Sequence, residues 1–87
     1  MIFIECYGKN VYIDDELAGY ISPEGDFYAK GHKFGSLSSD GDIYLNGEYV
    51  GYIEENNDII INNEPGGYVN EKNDLVFSYQ ALLKNRQ

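Results

Sequence analysis

A glycine returns every sixteen residues, at Gly19, Gly35, Gly51 and Gly67. Nine residues before each stands Asn10, Asp26, Asp42 or Asp58, and Asp74 extends that column by one step. The position after the polar column is always apolar (Val11, Phe27, Ile43, Ile59, Leu75), and the next reads Tyr12, Tyr28, Tyr44, Ile60, Val76. Behind the glycines come Tyr20, Ser36, Tyr52 and Tyr68, then Ile21, Leu37, Ile53 and Val69. At background frequencies of about 0.11 for Gly and 0.08 for Asp, chance agreement in both columns is on the order of one in a million. Sixteen residues cannot bury a core alone, so equivalent units must share one.

Each unit reads as a β-hairpin and a linking turn. In the third copy Asp42-Ile43-Tyr44-Leu45 is rich in strand formers, Asn46-Gly47 is the dipeptide preferred by a type I′ turn, and Glu48 to Ile53 is the return strand. Pro23-Glu24-Gly25, Ser39-Asp40-Gly41, Asn56-Asn57 and Lys72-Asn73 occupy equivalent linking positions and suit turns. Gly, Asn and Asp interrupt the chain too often for a long helix, and only Tyr79 to Lys84 has the makings of a helical turn. The expected fold is all-β: tandem 16-residue hairpins, about 9–10 short antiparallel strands, arranged pseudo-symmetrically around a common axis. One domain spans 1–79, with its repeat core at 10–79 and a C-terminal tail at 80–87.

Alternation across a strand places Val11 with Ile13, Phe27 with Ala29, Ile43 with Leu45, Ile59 with Ile61 and Leu75 with Phe77 on one face, read as inward. The repeating glycines share that parity, which fits either close approach of neighbouring strands or a β-bulge. Five strands of the Asp-apolar-Tyr type face only four of the Gly-Tyr-Ile type. Ile2-Phe3-Ile4-Glu5-Cys6 is expected to supply the missing strand and close a ring, removing exposed edges.

With units such as Gly19-Tyr20-Ile21 to Asp26-Phe27-Tyr28 and Gly51-Tyr52-Ile53 to Asp58-Ile59-Ile60, the chain resembles the four-fold β-flower domain of small bacterial proteins over about residues 10–79. That resemblance implies short hairpins set as petals around a pseudo-symmetric axis. It implies no activity and no catalytic residues.

Eighty-seven residues leave no room for a second core, and 43% hydrophobic content with 15% aromatics separates the chain from disordered sequences. Six basic against fifteen acidic residues give a net charge of −9, which disfavours direct contact with nucleic acid or an anionic membrane. The single cysteine, Cys6, makes no internal disulfide and reads as a small buried hydrophobe in a strand. No signal peptide or bilayer-spanning run stands out, so a cytoplasmic location is expected. His32, the only histidine, falls at a turn where other copies have Glu16, Glu48 and Glu64. Asp40-Gly41-Asp42 and Asn56-Asn57-Asp58 lack the ligand spacing of a calcium loop, and Asp14-Asp15-Glu16 and Glu54-Glu55 read as solvated turn carboxylates. No catalytic site, cofactor or metal is expected, and the chain is read as a non-enzyme.

Tyrosine is the one excess, with nine copies. Tyr12, Tyr28 and Tyr44 form one column and Tyr20, Tyr52 and Tyr68 another, both with parity opposite to the core. Such rows either stabilise the sheet by cross-strand stacking or form an amphipathic binding surface. The leading expectation is a module for protein binding or self-association through these six tyrosines. The alternatives are a small acidic inhibitor or nucleic-acid mimic that binds a basic protein, and a carbohydrate-binding module that takes glycans on tyrosine faces.

Overall fold

A computed structural model of the chain describes residues 4–84. It is a closed all-β barrel of nine consecutive strands. In chain order these are β1 (Asn10–Ile13), β2 (Glu16–Ile21), β3 (Asp26–Ala29), β4 (His32–Leu37), β5 (Asp42–Leu45), β6 (Glu48–Ile53), β7 (Asp58–Ile61), β8 (Glu64–Val69) and β9 (Leu75–Phe77), followed by a short helix α1 (Tyr79–Lys84). Among the described residues no helix is long and apolar enough to cross a membrane.

Local chemistry sets the hairpins. The residue pairs joining β1 to β2 (Asp14-Asp15), β3 to β4 (Lys30-Gly31), β5 to β6 (Asn46-Gly47) and β7 to β8 (Asn62-Asn63) all have positive φ, between 51° and 82°. That is the type I′ signature, whose twist matches the strands it joins. The linking turns are fastened by side chains. Ser22 Oγ accepts from the amides of Glu24 and Asp26, Ser38 Oγ from those of Asp40 and Asp42, and Asn70 Oδ1 from those of Lys72 and Asp74. In the remaining copy Glu54 fills the column, and Asn56 Oδ1 takes over by accepting from the Asp58 amide.

Both explanations of the repeating glycine hold together. Each hairpin slips register once: Val11 faces Gly19 but Tyr12 faces Leu17, and the same step recurs at Phe27/Tyr28, Ile43/Tyr44 and Ile59/Ile60. The residues left unpaired by these bulges are Ala18, Phe34, Val50 and Gly66. On its other side the glycine lies against the next hairpin. A Cβ built on Gly51 lands on the Ile60 carbonyl oxygen, 2.9 Å from the Ile60 carbonyl carbon and 3.1 Å from Ile61 Cα.

The inward face is the expected one. Val11, Phe27, Ile43, Ile59 and Leu75 have no exposed surface, and Ile21, Leu37, Ile53 and Val69 are buried with them. Nearer the hairpin turns the packing thins: Ile61 and Phe77 are buried, whereas Ile13, Ala29 and Leu45 are only half-buried. Two bulge residues help to fill this end, Val50 buried and Phe34 packed on Phe27 with ring centroids 5.6 Å apart. At Gly66 the absent side chain leaves space that α1 uses, because a Cβ there would meet Ile61 and lie 3.4 Å from Ala81 Cβ.

Closure differs from the expectation. Ile4–Cys6 is a 3-10 turn and not a strand, so Cys6 does not sit in a strand either; Met1, Ile2 and Phe3 lie outside the described residues. The ring closes by parallel pairing of β9 with β1, with Val11 facing Leu75, Tyr12 facing Val76 and Ile13 facing Phe77. The reason is parity. In an up-and-down chain of nine strands the first and last run the same way, so they can pair directly without a tenth. Leu75 lies four whole repeats after Val11, so the pair meets with both side chains facing inward. Asp74 Oδ1 accepts from the Asn10 amide at one end of this seam. At the other end the Asp14 amide donates to the Phe77 carbonyl, and Asp14 Oδ1 accepts from the Tyr79 amide.

The N-terminal segment instead acts as an extra linking turn. The Lys9 amide donates to the Cys6 carbonyl as the Gly25 amide does to Ser22, and the Ile21 amide donates to Lys9 as the Leu37 amide does to Gly25. Tyr7 crosses the barrel end and donates its hydroxyl to the Leu37 carbonyl at 2.9 Å.

Candidate functional surface

The candidate residues lie on the outer wall, on strands locked by ladder hydrogen bonds. Going round the barrel, the outward position at mid-height is Tyr12, Tyr20, Tyr28, Ser36, Tyr44, Tyr52, Ile60, Tyr68 and Val76, one from each strand. Cross-strand pairs within this belt are Tyr20 with Tyr28, Ser36 with Tyr44, Tyr52 with Ile60, Tyr68 with Val76, and Val76 with Tyr12 across the seam. The two tyrosine columns are inequivalent. Tyr12, Tyr28 and Tyr44 are half-buried, whereas Tyr20, Tyr52 and Tyr68 are 48%, 38% and 46% exposed. Across the bulge Tyr12, Tyr28 and Tyr44 each face a second outward side chain, Leu17, Lys33 and Tyr49. Tyr20 stacks on Tyr28 with centroids 5.6 Å apart and planes 18° from parallel.

Sequence reasoning missed Tyr49, which is 56% exposed and meets Tyr44 edge-on at 5.7 Å. Its phenol is pushed up by lost hydration and then by the nearby Asp42 carboxylate. The signal was available, because Tyr49 faces Tyr44 once the bulge is counted. Along the turn that leads into β9 the belt borders a groove of about 530 Å³, lined by Tyr12 and Tyr68 together with Val69, Asn70, Glu71, Lys72 and Asp74.

Charge divides by latitude. Up-and-down connectivity puts every linking turn at one end, and with them Glu5, Glu24, Asp26, Asp40, Asp42, Glu54, Glu55, Asp58, Glu71 and Asp74, ten of the fifteen acidic residues. Only Lys9 and Lys72 offset them within the same turns. Lys33, from the hairpin half of β4, reaches Asp26 at 3.3 Å.

The hairpin end carries the other five carboxylates, Asp14, Asp15, Glu16, Glu48 and Glu64, around an apolar mouth. A cleft of about 240 Å³ opens there between Ile13, Phe34, Leu45, Phe77 and the α1 residues Tyr79 and Leu82. His32 stands exposed at the start of β4. Cys6 is buried, its thiol pushed up to about 11 by burial and then by Glu5 and Asp74. Among the described residues no three His, Cys, Asp or Glu side chains are arranged to hold a metal ion. Compared with family models, curated proteins and solved structures, the chain matches none.

Proposed function

We propose that this barrel is a non-enzymatic binding module that engages a partner protein through its outer tyrosine belt. The observation that carries the reading is the exposure of Tyr20, Tyr52 and Tyr68 on hydrogen-bonded strands. Aromatic rings held on a rigid wall lose little side-chain freedom on docking, which is why tyrosine is favoured where two proteins meet. The groove along the turn into β9, lined by Tyr12 and Tyr68, offers a place for a partner side chain to insert. The repeat architecture also agrees with the β-flower resemblance, which brings no activity with it.

The acidic pole favours a second reading, a small acidic inhibitor or nucleic-acid mimic whose partner is a basic protein. Affinity capture at low and high salt separates the two. Under the belt reading the partner is retained at high salt and lost when Tyr20, Tyr52 and Tyr68 are all changed to Ala. A partner released by salt and indifferent to that triple change moves the assignment to the acidic pole.

A further inference from the structure

We infer that two copies of this chain pair end to end through their apolar hairpin poles. The barrel is incompletely filled at its hairpin end. Ile13 and Leu45 remain half-buried at the mouth, and α1, only six residues long, covers one side of it. Beside the resulting cleft stand Leu17, 65% exposed, and Tyr79 and Leu83 at 51% and 39%. Ile13 and Tyr79 line both the cleft and the adjoining hollow under Leu17, so knob and hole belong to one continuous patch. A patch that carries its own protruding side chain next to its own cavity is self-complementary, which is the requirement for a two-fold interface.

Charge selects the same occupant. Two chains of net charge −9 repel each other in most orientations. Joined at the hairpin poles, they hold their ten-carboxylate rims at opposite ends of the pair, beyond a screening length of about 8 Å at physiological salt. At this pole five carboxylates per copy, Asp14, Asp15, Glu16, Glu48 and Glu64, stand around the patch with Lys30, half the number at the far rim. A fatty anion is a poorer fit, since those carboxylates ring the mouth and a cleft of about 240 Å³ is small against the usual ligand range of roughly 300–1,000 Å³. The area is adequate for a reversible pair. With extents of 30 × 30 × 24 Å, the whole cross-section of an end face is roughly 450–700 Å² per copy, so full apposition covers at most roughly 900–1,400 Å², against the ~1,000 Å² of a specific interface.

Sedimentation equilibrium of the full chain from about 1 µM to 1 mM tests this. The expected result is a monomer–dimer equilibrium that raised salt strengthens, because screening weakens the repulsion between the hairpin-end carboxylates of the two copies. Leu17→Asp and Leu83→Asp each weaken it tenfold or more while the circular-dichroism melt stays that of a folded barrel, and Tyr52→Ala leaves it unchanged. Three outcomes overturn the proposal: a monomer up to 1 mM, a dimer indifferent to both Leu substitutions, or a dimer lost in Tyr52→Ala. A monomer that binds an apolar fluorescent probe in the cleft assigns the mouth to a small ligand instead.

Discussion

Replacing Gly51 by alanine tests whether the repeating glycine is needed for strand-to-strand contact. The added methyl falls on the Ile60 carbonyl oxygen, with further main-chain atoms at 2.9 and 3.1 Å. None of these is the end of a side chain that can swing aside, so β7 itself must move away from β6. Overpacking of this kind costs about 3 kcal/mol at the upper end of its usual range, and a stretched ladder hydrogen bond adds about 1. Alanine recovers about 0.5–1 kcal/mol by restricting the unfolded chain. The net loss is about 3 kcal/mol, a large share of the roughly 4–13 kcal/mol expected for a domain of 87 residues. At about 4–8 °C per kcal/mol the melting temperature falls by roughly 12–24 °C. Gly47→Ala is the control: its φ is +82° but no atom lies within 4 Å of the added Cβ, so it loses only about 1 kcal/mol of conformational energy. Thermal melts followed by circular dichroism compare the two. If Gly51→Ala melts no lower than Gly47→Ala, the close-approach argument is wrong.

Two further perturbations address the seam and the buried thiol. Asp74→Ala removes the acceptor of the Asn10 amide where β9 meets β1, and is expected to cost about 1.5–3 kcal/mol in urea unfolding, while Asp74→Asn, which keeps an acceptor oxygen, costs less; equal losses would mean that charge rather than the hydrogen bond holds the seam. Cys6 stays protonated in the folded barrel up to about 11 against 9.0 when unfolded, so the thiol contributes nothing to pH dependence below about pH 9 and stability falls as pH rises from about 9 to 11; Cys6→Ala is expected to flatten that slope, and a wild-type profile already flat over this window would contradict it.

Most of the architecture was readable because every unit states the same local rule. Alternation assigned the inward side chains, and Asn46-Gly47 announced its turn. The ring closure was not readable from the same rule. An unpartnered strand at the end of the count invites a search for a tenth, whereas the number being odd already permits the ends to pair in parallel. Sixteen residues before Ser22 lies Cys6, so the column that turns the chain after every hairpin passes through the N-terminal segment as well. Cysteine lacks the strong acceptor that Ser22, Ser38 and Asn70 supply, which hid the equivalence in the sequence even though the Lys9 amide makes the same backbone bond. The exposed tyrosines were legible as columns. The difference between the two columns was not, because it depends on bulges that shift what faces what by one residue.

Two strands per unit also turn a column of the repeat into a latitude of the barrel. An acidic preference in the linking turns becomes a charged pole, tyrosines at mid-strand become a belt, and apolar bulge residues gather at the hairpin pole. The belt adjoins the acidic pole at the groove shared by Tyr12, Tyr68, Glu71 and Asp74, while the hairpin mouth lies at the other end of the axis. In the proposed pair the apolar poles are consumed by each other, the belts stay exposed, and the acidic poles face away from the contact. A partner with two binding positions would then meet two belts on one particle, and its second contact would form at an effective concentration set by the pair rather than by bulk solution. Weak docking on each belt becomes firm only where the chain is concentrated enough to pair, so self-association would control binding without any change in the fold.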